Sequence, residues 1–140
     1  MQLNTYLAFY NGQCEAAFKF YEQCLGGKIE AMFTHAGTPA AEHVPPELLN
    51  KIMHVRLKVG DGLLMGCDAP PDPNKSPKGF SVNIAVEQPA EADRIFHALA
   101  ENGTVGMPIQ QTFWAARFGM VTDRFGTPWM VNCEGGVKYE

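Results

Sequence analysis

The sequence predicts an α+β fold built from two βαβββ modules, and three observations carry that prediction. An offset of 76 residues lays Glu15, Ala16, Phe20, Gly27 and Ile29 on Glu91, Ala92, Phe96, Gly103 and Val105, so both halves read as strand, helix, glycine, strand. Apolar residues alternate with a period of two on either side of each helical stretch. Between the halves, Pro70 to Gly79 carries four prolines and almost no apolar residues, the composition of a linker rather than a strand. Two such units are too few for a solenoid, in which about three are needed to bury a continuous core. The chain is read as one domain, with module 1 over about residues 1–69, the linker over about 70–79 and module 2 over about 80–140. A cleft between repeated modules is where a small-molecule site is expected.

Each element follows from its local pattern. Leu3, Thr5, Leu7 and Phe9 alternate with Asn4, Tyr6 and Ala8, which makes a strand with two different faces. Asn11 and Gly12 open a helix near 13–25, where Ala17, Phe18, Tyr21, Cys24 and Leu25 recur at helical spacing and Gly26-Gly27 supply the stop. Lys28 to Thr34 is the next strand. In Ile52 to Val59, the apolar Met53, Val55, Leu57 and Val59 alternate with Ile52, His54, Arg56 and Lys58, and Asp61-Gly62 signals a tight hairpin into Leu63 to Cys67. Residues 36–50 form a long loop with one short helical turn after Pro45-Pro46, a candidate lid. In the second half Phe80, Val82, Ile84 and Val86 alternate with Ser81, Asn83 and Ala85, and Pro89 opens a helix over about 89–101 with Ala92, Ile95, Phe96 and Leu99 as its apolar stripe. Thr104 to Met107, about Ala115 to Thr122, and Thr127 to Val131 are the remaining strands, the last two flanking the turn Asp123-Arg124-Phe125-Gly126.

Composition narrows the class of function. With 46% hydrophobic residues, 9 Phe, 4 Tyr and 2 Trp, the 140 residues suffice for a packed core. A net charge of -4 gives no electrostatic reason to expect nucleic acid or an anionic membrane as partner. The first residues, Met1-Gln2-Leu3-Asn4, carry neither a basic segment nor a long apolar run, and no window approaches the ~18 apolar residues of a membrane span. A cytoplasmic protein is expected. Cys14, Cys24, Cys67 and Cys133 form no CxxC pair and are read as reduced, buried thiols.

Tyr6-Leu7-Ala8-Phe9, Phe20-Tyr21 followed by Leu25-Gly26-Gly27, the run Thr112-Phe113-Trp114-Ala115-Ala116-Arg117-Phe118-Gly119, and Asp123-Arg124-Phe125-Gly126-Thr127-Pro128-Trp129 together resemble the PhnB-like family within the glyoxalase/bleomycin-resistance (vicinal oxygen chelate) superfamily. The resemblance covers almost the whole chain. It implies paired βαβββ modules curling into an open half-barrel, usually homodimeric, and it implies no particular reaction. Metal enzymes of that superfamily place a ligand on the first strand and near the last strand of each module, typically His and Glu, leaving open positions for a chelating substrate. Here those positions fall on Tyr6, on Met65 or Gly66, on Ser81 with Asn83 nearby, and on Met130. None is a histidine or a carboxylate, so no metal and no cofactor are expected at the usual place.

Strand alternation separates pocket from core. If Leu7, Phe9, Val82, Ile84 and Val86 pack under the helices, Tyr6, Ala8, Ser81, Asn83 and Ala85 point to the other side and line the cleft. There Tyr6 and Asn83 offer hydrogen bonds, Met65 and Met130 adaptable apolar walls, and Trp114 with Phe118 a stacking surface. Asn83 needs a partner if buried. Arg117 holds an anionic group, or pairs with Asp123 or Glu134. His54, on one face with Arg56 and Lys58, is either a solvent-facing residue or the first ligand of an unusual metal site. His35, His43 and His97 are weaker candidates. No GxGxxG, GxSxG or P-loop supports methyl, acyl or phosphoryl transfer. The missing His and Glu favour a metal-independent module that binds a small, partly apolar molecule. The alternative is an enzyme of the same superfamily, either metal-dependent through His54 or acid-base through Tyr6, His54 and Asn83.

Overall fold

The computed structural model describes residues 1–135. The elements are β1 (Thr5–Phe9), α1 (Cys14–Leu25), β2 (Lys28–Thr34), β3 (Ile52–Val59), β4 (Gly62–Asp68), β5 (Val82–Ala85), α2 (Pro89–Ala100), β6 (Thr104–Gln110), β7 (Arg117–Thr122) and β8 (Pro128–Cys133). The chain divides into two compact units, Met1–Ser76 and the residues from Pro77 onward. Each is a four-stranded sheet with one helix on one face, in the orders β1-β4-β3-β2 and β5-β8-β7-β6. In each, the first strand runs parallel to the last and the other pairings are antiparallel, so the βαβββ order expected from the sequence is the order found.

Each core lies between helix and sheet. In the first unit Cys14, Ala17, Phe18, Tyr21 and Cys24 of α1 are buried with Leu7, Phe9, Val55, Leu57 and Leu64 of the strands. In the second, Ala92, Ile95, Phe96 and Leu99 of α2 are buried with Val121, Trp129, Val131 and Cys133. Two glycines allow the helices to approach this closely. A Cβ on Gly66 would stand 2.7 Å from the Phe18 ring, and one on Gly119 would stand 2.7 Å from the Phe96 ring.

The repeat is real, but its register differs from the one that matching residues suggest. Helices α1 and α2 begin at Cys14 and Pro89, an offset of 75, whereas β2 and β6 begin at Lys28 and Thr104, an offset of 76. Burial follows the helices: Ala17, Tyr21 and Cys24 take the places of Ala92, Phe96 and Leu99, while Ala16 is exposed and Phe20 only half-buried. The extra residue lies between α2 and β6, where Asn102 adopts a left-handed φ of 58°.

Several boundaries also move. Phe80 and Ser81 precede β5, β6 continues to Gln110, and β7 starts only at Arg117 because Thr112 Oγ1 accepts from the Trp114 and Ala115 amides and holds a turn. The β3–β4 hairpin turns on Gly60-Asp61. A bulge between β2 and β3 pairs Phe33 with His54 but Thr34 with Ile52, so Ile52 joins the core although simple alternation places it with His54. Residues 36–50 contain two short 3₁₀ turns, Pro39–His43 and Pro46–Leu48. Backbone bonds from His35 to Lys51 and from Ala36 to Leu49 close the base of the loop, and Leu48 is buried. In the proline-rich stretch, Asp72 N donates to Tyr10 O and the Lys75 ammonium lies over the Tyr10 ring. No described helix is long and apolar enough to cross a membrane.

Two buried aspartates tie strand ends to other elements. Gln13 gives α1 no side-chain cap; instead Asp68, at the end of β4, accepts from Cys14 N at 3.0 Å and from Ile52 N at 2.9 Å. Asp123 accepts from Phe125 N, Thr127 N and the Trp129 indole N–H at 2.8, 3.1 and 2.8 Å.

Candidate functional site: the helix-free sheet faces

The helix covers one face of each sheet, and residues alternating with the core occupy the other. Strand register makes the two helix-free faces comparable position by position. In the first unit Tyr6 pairs with Met65, Met65 with Arg56, and Arg56 with Ala31. In the second, Asn83 pairs with Met130, Met130 with Met120, and Met120 with Met107. Asn83, not Ser81, is therefore the counterpart of Tyr6, and Met130 is the counterpart of Met65.

The first face has a polar, aromatic centre. Tyr6 Oη lies 3.4 Å from His54 Nδ1 with the two rings stacked at 5.8 Å, and the Phe33 ring lies 5.9 Å from the imidazole. Tyr6 and Phe33 are exposed, at 48% and 41%. Partial burial of the phenol, with Cys67 adding to it by charge and hydrogen bond, pushes Tyr6 up to about 12. Burial likewise pushes the Cys67 thiol up, and the Tyr6 hydrogen bond opposes that rise. At neutral pH this centre is thus a protonated phenol beside an imidazole and a thiol.

A raised tyrosine pKa has a definite sign in stability. The folded state holds the Tyr6 proton above pH 10, where the unfolded chain releases it, so this contribution is complete below about pH 10 and is lost as pH rises towards 12. A difference titration at 295 nm between the parent and Tyr6→Phe is expected to show one phenolate step near pH 12. A step at pH 10 would mean that Tyr6 is solvated like a free phenol.

The second face is apolar. Met107, Met120 and Met130 are half-buried beside Phe118, whose ring lies 5.4 Å from Trp114, itself 4.8 Å from the exposed Phe113. Asn132 pairs with Phe118 and Ala85, and its Oδ1 is buried without a hydrogen-bond partner among the described residues. Together with Ala85, Val86, Glu87, Glu134 and Gly135 it lines a recess of about 540 Å³.

The predicted site residues therefore separate. Tyr6, His54 and Met65 come together on one face, and Asn83, Met130 and Trp114 belong to the other. Asn83 is exposed, so the condition under which it would need a partner is not met; the buried amide oxygen belongs to Asn132. Ser81 lies outside β5. Arg117 is a correction: it stands opposite the buried Cys133 on the helix side, and its Nε and Nη2 each lie 2.7 Å from Asp93 Oδ1 on α2. Asp123, one of the partners expected for it, instead organises its own turn. His43 and His97 are exposed, and both ring nitrogens of His35 are buried without a partner among the described residues. Alternation could have found Cys67 and Asn132, which follow Met65 and Met130 two residues on. It also places Arg56, two residues after His54, on the same face.

The metal positions implied by the superfamily resemblance hold a phenol, two thioethers and an amide. That set does not fit a hard divalent cation, which wants imidazole or carboxylate. The Tyr6 hydroxyl is also engaged with His54. Among the described residues, no group of three or more His, Cys, Asp or Glu is placed to hold a metal ion.

Comparison with known proteins agrees with this fold. The family model described as Glyoxalase/Bleomycin resistance protein/Dioxygenase superfamily matches residues 4–131. Protein YjdN of Escherichia coli (strain K12) is 35% identical over 140 residues, covering 94% of this chain and 95% of that one. The crystal structure of PA1353 from Pseudomonas aeruginosa is 50% identical with a TM-score of 0.86, covering 96% and 98% of the two chains. A PhnB protein from Bacillus cereus shares the fold at 22% identity, with a TM-score of 0.79 over 95% of this chain and 99% of that one. The two βαβββ units and these matches place the chain in the glyoxalase/bleomycin resistance protein/dioxygenase superfamily, to which it belongs.

Proposed function

We propose that this protein binds a small, partly apolar organic molecule on the helix-free faces of its sheets, without a divalent metal. The observation that carries the reading is the row Asn83, Met130, Met120 and Met107. Where the metal enzymes of the superfamily hold a ligand, this chain has a thioether with further thioethers in register beside it. Unbranched, polarisable side chains of this kind adapt to varied apolar shapes, and Phe118 with Trp114 adds a flat surface for stacking. The first face supports the reading with Met65 between Tyr6 and Arg56.

The test uses a neutral apolar dye, N-phenyl-1-naphthylamine, and protein purified without chelator. Saturable dye fluorescence is expected, with less than about one metal ion per ten chains by mass spectrometry. Met120→Glu places a charge in the row and is expected to weaken dye binding about tenfold, or ~1.4 kcal/mol. One tightly held divalent metal per chain, lost in His54→Gln, would overturn the reading.

A further inference from the structure

We infer that the molecule bound at the first face carries an oxyanion, a carboxylate or a phosphate, received by Arg56 with His54 beside it. This rests on the ligand-binding reading above and assigns the ligand's polar end. The chain is acidic overall, at -4, yet His54, Arg56 and Lys58 follow one another at alternate positions of β3 on the helix-free face. Arg56 stands in the row with Tyr6 and Met65, is exposed, and makes no ion pair or side-chain hydrogen bond among the described residues. Glu30, next to its strand partner Ala31, does not pair with it. By contrast Arg117, Arg124, Arg94 and Lys19 all have carboxylate partners.

Tyr6 Oη, 3.4 Å from His54 Nδ1, holds the imidazole on the same strand face as Arg56. A planar guanidinium fork with an imidazole beside it suits the several acceptor oxygens of a carboxylate or phosphate. An exposed charge pair alone is weak, so the Phe33 and Tyr6 rings on the same face must add apolar contact. The ligand class is therefore an aromatic or otherwise flat organic acid.

The experiment titrates benzoate, phenyl phosphate and neutral benzyl alcohol directly, following the Arg56 Nε–H and His54 ring resonances. At least one of the two anions is expected to shift them at a concentration at least tenfold below that of benzyl alcohol, and the tighter anion names the acid. Arg56→Gln, followed at the His54 ring resonances, should abolish that preference, and Lys58→Gln should change it less than twofold. Equal affinity for all three compounds, or an anion preference that survives Arg56→Gln, overturns the oxyanion assignment and leaves the apolar-ligand reading, which the dye tests at the second face, standing. No shift with any of the three overturns the assignment too.

Discussion

Asp123→Ala is expected to destabilise the protein by about 3–5 kcal/mol, because it strands several buried hydrogen-bond donors at once. One oxygen of Asp123 accepts from the amides of Phe125 and Thr127, and the other accepts from the indole of Trp129. Asp123 and Trp129 are both buried, at 4% and 1% exposed. Each buried donor left unpaired costs roughly 1–3 kcal/mol, and water reaching the turn recovers part of that. The loss is large against a total stability of about 5–15 kcal/mol for a domain. Asp123→Asn retains one acceptor oxygen but turns an amide N–H₂ towards a donor, so it should fall between the alanine variant and the parent. Urea unfolding followed by tryptophan fluorescence reads the difference. A loss below about 1 kcal/mol for the alanine variant would show that the turn closes without the carboxylate.

Asp68→Ala is expected to cost about 2–4 kcal/mol by the same reasoning with two donors. The carboxylate accepts from the first amide of α1 and from the first amide of β3, 5% exposed at the junction of three elements. Its negative charge also faces the positive end of the α1 dipole, a favourable placement of about 0.3–1 kcal/mol. Since Gln13 offers no replacement cap, the first turn of α1 should fray, and amide exchange should speed up at Ala17 and Phe18 before the sheet opens. Unchanged exchange across α1 would mean that water caps the helix as well as Asp68 does. The exposed pair Lys19–Glu15 at 2.6 Å, by contrast, contributes little to stability despite its short distance.

How far the site could be read ahead of the structure depended on the range of each interaction. Tyr6, His54, Met65 and Met130 are on helix-free faces because a strand alternates its side chains, a rule that needs only neighbouring residues. Ile52 escaped that rule because a bulge is set by the partner strand. Arg117 was misplaced for a similar reason: Asp93, which holds it, lies on α2, and no local pattern announces an ion pair between a helix and a strand two elements later. Arg56 was legible as a face but not as an unpaired charge, because being unpaired depends on every other chain segment that approaches it.

By itself the sequence determined the two βαβββ units, their helices, the apolar stripe of each and the absence of His and Glu from the usual ligand positions. The units, helices and stripes follow from local periodicity and residue chemistry, and the ligand positions from the family resemblance. Only the tertiary structure decided that the helices repeat at an offset of 75 while the following strands repeat at 76, that Asn83 rather than Ser81 answers Tyr6, and that Asp68 and Asp123 serve as buried anchors. Cross-strand register and buried hydrogen bonds join residues far apart in the chain, and their partners are selected when helix packs on sheet, by shape and by the cost of leaving a buried donor alone.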